Sequence, residues 1–200
     1  VVDAIFSIGV RYSSTRSTVI RFCEYYGFKR LRDYGTDYPT KAEQVSVQQV
    51  LSLFSNETDE ELSNNVFENR QRTSTRNGVL KSEAVRRFLI CLNEYDVQFF
   101  QDVHKVMGNQ SFESSIKSIQ GQRSGISLSY FFMLAGDSSS IKPDRMILRF
   151  ISEATGKSLT INDASDLIKT TAYVLKKEYP ALTPRVLDHT IWLYQRSKKF

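Results

Sequence analysis

Apolar positions along the chain recur at three- and four-residue spacing, in short blocks separated by polar punctuation, and no stretch alternates convincingly as a strand would. "VVDAIFSIG" and "STRSTVIRFCEYYGF" each gather their apolar side chains on one helical face, with a short polar link at 11–14 between them. "RLRDYGTDYPTK" carries Gly and Pro and predicts a loop. A helix is expected in "AEQVSVQQVLSLFS". Another starts in "NETDEELSNNVF", where Thr58 with Glu61 three residues later forms a capping-box pattern. "NRQRTSTRNG" is a polar loop, "VLKSEAVRRFLICLNEY" a strongly amphipathic helix, and "DVQFFQDVHKVMG" and "QSFESSIKSIQ" two shorter ones. Beyond Gly125 the pattern predicts helices to about 135, over 143–154, across "NDASDLIKTTAYVLKKEY" and across "TPRVLDHTIWLYQRS", with Pro180 and Pro184 separating the last two. The class is all-α, about ten short helices on short links, without internal repeat or low-complexity tract.

Composition narrows this only a little. The chain has 200 residues, 40% of them hydrophobic, enough for one compact unit or two lobes. The longest apolar runs, such as "YFFMLA", are far too short to cross a bilayer. "VVDAIFSIG" has neither a basic start nor a small-residue cleavage site, so it reads as helix interior preceded by further chain, not as a signal peptide. Cys23 and Cys91 sit in apolar patterns and are expected as buried free thiols of a reducing compartment; two cysteines alone cannot hold a four-cysteine iron–sulfur cluster. His104 and His189 lack metal-ligand spacing, and no metal site is expected from them. The net charge is +5, and the basic residues cluster in "RQRTSTRNGVLKSEAVRR" and in the closing "QRSKKF". Such stretches favour a polyanionic partner.

Candidate chemistry concentrates in "IQGQRSGISLSYFFMLAGDSSSIKPDRMILRF". Gly121 and Gly125 bracket a loop too short to link domains, with helix on both sides. Glycine permits the positive φ of a sharp helix–hairpin–helix turn, and the helix that follows opens with outward backbone N–H groups suited to a phosphate oxygen. Arg123 can add charge, and Ser124 and Ser127 can add hydroxyl donors or cap the helix. An ordinary turn between helices would also explain both glycines. Further on, Pro143 is comfortable in the first turn of a helix, so Asp144 falls at the helix start. A carboxylate there is favoured by the helix dipole, and capping alone would account for it.

Taken together, the glycine turn, the apolar helix, the polar loop and Asp144 followed by Ile147 and Arg149 resemble the helix–hairpin–helix DNA glycosylase superfamily. The pattern departs from the family at Met146, where histidine is frequent, and at "SIGVRYS", where Gln and Thr are usual. "VVDAIFSIGVRYSSTRSTVIRF", "NGVLKSEAVRRFLICL" and "LDHTIWLYQR" extend the similarity over nearly the whole chain, with only 121–150 specific. The resemblance implies a two-lobed fold with a cleft between lobes. One lobe would be discontinuous, 1–30 with 137–200, and the other, 31–136, would end in the hairpin.

The resemblance also implies the chemistry. Asp144 would stabilise the oxocarbenium character of a sugar as the base of a flipped nucleotide leaves, and could orient water. Gly121, Gln122, Arg123, Ser124, Gly125, Ser127, Lys142, Arg145 and Lys81 would hold the DNA backbone, and Phe6, Ser7, Arg11, Tyr12 and Tyr130 would line the base pocket. Strand-cleaving members carry Lys where this chain has Ser127. A hydroxyl cannot form the imine, so a monofunctional glycosylase is expected. The alternative is a catalytically inactive helix–hairpin–helix DNA-binding module. The expected partner is double-stranded DNA, with no membrane, for a monomeric, cytoplasmic, nucleoid-associated protein. No cofactor is expected beyond a monovalent or divalent cation that relatives of this kind can carry on hairpin carbonyls.

Overall fold

The computed structural model describes residues 1–31 and 39–198, and among these every regular element is helical apart from one isolated bridge, Arg72 with Leu80. Most of the predicted "RLRDYGTDYPTK" loop and the last two residues of the basic "QRSKKF" end lie outside the described residues. The chain divides into two compact units, with the boundary between Leu128 and Ser129.

The first unit contains α1 (Val2–Phe6), α2 (Tyr12–Tyr26), α3 (Val47–Phe54), α4 (Asp59–Glu61), α5 (Lys81–Glu94) and α6 (Gln110–Ser118), and α7 (Ile126–Leu134) begins in it. Short 3₁₀ turns occupy Lys41–Glu43 and Phe100–Lys105, and α4 runs on into a π-helical turn at Leu62–Val66. The capping box is formed: the Thr58 hydroxyl accepts from the Glu61 amide at 3.2 Å, while Glu61 takes the Thr58 amide at 2.7 Å. α5 is the central helix, packed on by α1, α3, α4 and α6. Lys81, Ala84, Val85, Phe88 and Leu92, at helical spacing, form its buried face. Beside it Phe6, Phe22, Phe54 and Phe67 make a ring cluster, with centroids 5.0 Å apart for Phe6–Phe67 and 5.6 Å for Phe22–Phe67. Arg86 ties α5 to α4, its guanidinium 2.7 Å from Asp59 Oδ1 and donating to the Phe54 and Glu57 carbonyls.

These contacts differ from the expected lobes. Segment 1–30 was expected to join 137–200, whereas α1 packs on α2 and α5 within the first unit. The apolar face of α1, with Ala4, Ile5 and Phe6 all fully buried, is what fixes it there.

The second unit holds the C-terminal part of α7, then α8 (Arg145–Thr155), α9 (Ile161–Leu175) and α10 (Pro184–Ser197). α10 packs on both α8 and α9. A cluster of aliphatic side chains packs there, Ile141, Ile147, Ile151, Ala164, Ile168 and Ile191, with Leu148, Phe150, Leu159 and Leu187 around them. Pro184 stands in the first turn of α10 behind Thr183, whose hydroxyl accepts from the Val186 amide. No helix among the described residues is long and apolar enough to cross a membrane.

Candidate functional site

The loop before α8 is built from its own polar side chains. Asp137 folds it: its carboxylate accepts from the Ser139 amide at 3.0 Å and from the hydroxyls of Ser139 and Ser140. Burial pushes the Asp137 carboxyl up, but the Ser140 and Ser139 donors outweigh it and leave the pKa below the ordinary value. Ser138 offers its carbonyl to the Arg185 amide at the start of α10. The serine run is thus a local anchor.

Beyond it, Lys142, Pro143 and Asp144 turn tightly, with the Asp144 amide donating to the Lys142 carbonyl at 2.6 Å. Asp144 caps α8 as the sequence predicts, its Oδ1 accepting from Met146 N at 2.8 Å and Ile147 N at 3.4 Å. It is half-buried, with Ile147 in the core and Arg149 exposed about one and a half turns on. The Lys142 ammonium lies 3.9 Å from the ring centre of Tyr130, a cation–π contact. From α10, Asp188 closes the group, accepting the Lys142 amide at 3.2 Å while only 4% exposed. Burial pushes the Asp188 carboxyl up to about 7; the Lys142 amide opposes this, the Asp144 charge adds to it, and the Lys142 charge opposes it. Tyr130, Lys142, Asp144 and Asp188 therefore form one cluster in the second unit.

The glycine turn lies in the first unit. Gly121 and Gly125 both take positive φ, 86° and 72°, as the hairpin reading requires. A Cβ on Gly121 would stand 2.4 Å from Thr73 Cβ, so that residue must be glycine on two counts. A Cβ on Gly125 meets only the flexible Lys117 side chain, at 3.1 Å. Gly121, Arg123 and Ser124 are exposed, but Gln122 and Ser127 are buried and bonded to each other, the Ser127 hydroxyl donating to Gln122 Oε1. Those two hold the turn together and do not face solvent.

Other expected positions are also corrected by burial. Lys81, only 1% exposed, donates its ammonium hydrogens to the Phe6 and Ile8 carbonyls and to Gln71 Oε1, so it braces α1 against α5 instead of meeting a phosphate. Phe6 is a core ring against Phe67, and the Ser7 hydroxyl donates to the Ala4 carbonyl. Tyr130 is buried beneath Lys142. Arg11 and Tyr12 are exposed at the start of α2, and Arg145 is exposed on α8. Within the basic stretch Arg70, Arg72, Lys81, Arg86 and Arg87 all have protein partners, which are carboxylates for Arg86 and Arg87. A shallow depression of about 300 Å³ on α2 is lined by Arg21, Glu24, Tyr25, Asn65, Val66 and Glu68; Arg21 there already donates to the Phe67 carbonyl. Both thiols are free and half-buried, and burial raises each above its ordinary pKa. No group of three His, Cys, Asp or Glu side chains among the described residues is placed to hold a metal ion.

Sequence reasoning missed Asp188. Its signal was present, since Asp188, Ile191 and Gln195 share the i, i+3, i+7 face of α10, and all three are buried. The same helical arithmetic places Lys81 on the buried face of α5.

With this geometry in view, comparison with known families gives one match. The model of a family described as "Domain of unknown function (DUF8548)" covers residues 1–196. The chain belongs to the DUF8548 family. In this DUF8548 chain the match spans both units, so the glycine turn and the Asp144 cluster both lie inside the family domain. No curated protein and no solved structure matches it.

Proposed function

We propose that the chain binds double-stranded DNA and acts as a monofunctional DNA glycosylase of the two-lobed helix–hairpin–helix type, with Asp144 as its catalytic carboxylate. The observation that carries this reading is a half-exposed carboxylate at the N-cap of α8, in the Asp144–Ile147–Arg149 order of that superfamily. In the reaction, the C1′–N bond breaks and its electron pair leaves on the base. The positive charge developing on the sugar is stabilised by Asp144, and water adds at C1′, giving up a proton to that carboxylate. The exposed members of the glycine turn, Gly121, Arg123 and Ser124, would hold backbone phosphate. Ser127 supplies no amine for imine chemistry, which supports base release without strand cleavage.

A DNA-binding module without base chemistry is the second reading, and it draws on one observation: Asp144 Oδ1 already serves as the cap of α8. The two are separated by incubating the protein with duplexes bearing a single uracil, hypoxanthine, 7-methylguanine or 8-oxoguanine and measuring abasic sites. Base release that disappears in Asp144→Asn supports the glycosylase. Binding without any release supports the module, and neither binding nor release removes both.

A further inference from the structure

The Asp144 cluster contains one group whose position the glycosylase reading leaves unexplained. Asp188 is 4% exposed on α10, and the Lys142 charge offsets its burial only in part. A buried carboxyl in such surroundings is costly unless its hydrogen bonds fix something. Its partner is a backbone group, the Lys142 N–H, at 3.2 Å. That amide belongs to the residue whose carbonyl takes the Asp144 N–H at 2.6 Å, and whose ammonium rests on the Tyr130 ring. A chain of contacts therefore runs from α10 through Lys142 to the backbone of Asp144. Pro143 stiffens its middle by fixing φ.

We propose that Asp188 is a positioning residue: by accepting the Lys142 amide it clamps the Lys142–Pro143–Asp144 turn and sets where the Asp144 carboxylate stands. This rests on the glycosylase reading of Asp144 for its catalytic consequence, while the clamp itself is independent of that reading. The cap bonds from Met146 and Ile147 orient Asp144 relative to α8, and Asp188 fixes the turn that leads into it. Burial raises the Asp188 pKa and the Lys142 amide opposes the rise, and either protonation state leaves an oxygen lone pair for that amide.

The test uses the full chain and two substitutions. Asp188→Ala removes the acceptor, and Asp188→Asn keeps an oxygen for the Lys142 amide. In single-turnover assays on the same four duplexes, Asp188→Ala should slow base release by about 100-fold, the scale of a small misplacement of a reacting group. The DNA concentration giving half-maximal rate should not change. Asp188→Asn should restore most of the rate. Equal losses in both variants, or a loss confined to DNA affinity, would overturn the proposal. Amide hydrogen exchange at Lys142 reads the clamp without any activity. Protection in the wild type that falls at least about tenfold in Asp188→Ala, but not in Asp188→Asn, is expected. A Lys142 amide unprotected in the wild type would overturn the clamp even if base release is seen. A protein that releases no base but shows this exchange pattern retains the clamp and loses only the glycosylase reading. Should Asp188→Ala fail to fold, the wild-type exchange and the Asp188→Asn rate still decide.

Discussion

The glycine turn and the loop before α8 use similar residue types in opposite ways. In the turn, Gln122 and Ser127 point inward and bond to each other, so the side chains with the most hydrogen-bonding capacity stabilise the turn itself. In the loop, Asp137 and the serines also bond locally, yet Asp144 stays half-exposed with Lys142 and Asp188 arranged about it. Short polar runs thus solve a folding problem in both regions, and only the second leaves a charged group beside solvent with supports beyond capping. A motif of suitable residue types therefore has to be read together with the direction in which each side chain is engaged.

The sharpest way to break this contrast is at the glycines. Gly121→Val adds a side chain at φ 86°, against Thr73, and should destabilise the first unit by more than about 3 kcal/mol in urea unfolding. Gly125→Ala, at φ 72° with only Lys117 to displace, should cost about 1 kcal/mol. Equal losses at the two positions would remove the distinction between a steric and a merely conformational glycine.

Asp188 gives the next effect. Its folded pKa, about 7, lies above the ordinary 3.8, so the native state holds an extra proton between roughly pH 4 and 7. Stability is therefore lost as pH rises through that window and stays lowered above it. Asp188→Asn cannot titrate. Its stability relative to wild type should climb by about 1 to 4 kcal/mol from pH 4 to pH 8, and a flat difference would deny the burial.

Lys81 and Arg123 sharpen the same point about direction. Lys81→Met leaves the Phe6 and Ile8 carbonyls without their donor and should cost about 2 kcal/mol of stability, with no change in the salt dependence of DNA binding. Arg123→Ala, exposed on the turn, should leave stability within about 0.5 kcal/mol and lower the salt slope by about one phosphate. Interchanged outcomes would mean that the turn and the base of α5 have been read the wrong way round.

How far the sequence reveals all this follows from what each feature depends on. Local rules predicted the capping box at Thr58 and Glu61, the Pro143–Asp144 start of α8 and Pro184 at the start of α10, because each is settled within a few neighbouring residues. Grouping of helices was harder. The face of α1 is legible, but which helix buries it depends on long-range contacts with α5. The resemblance implies DNA contacts for Lys81 and Phe6, although their helical registers place them inward. Lys81 follows the buried stripe of α5 even though its type usually belongs on the surface. Asp188 was overlooked for the same reason, a charged residue on an amphipathic helix being ordinarily solvent-facing.

The proposed base release depends on the carboxylate of Asp144 more than on any other group. Asparagine there keeps the oxygen that caps α8, so Asp144→Asn should change stability by less than about 1 kcal/mol and leave DNA affinity near that of the wild type. Single-turnover release of the base from damaged duplexes by the folded variant is the decisive measurement. The wild type should generate abasic sites, and the variant should lose at least about 1,000-fold in rate, as expected for removing charge stabilisation of a transition state. A variant that releases the base as fast as the wild type would contradict the catalytic role of Asp144.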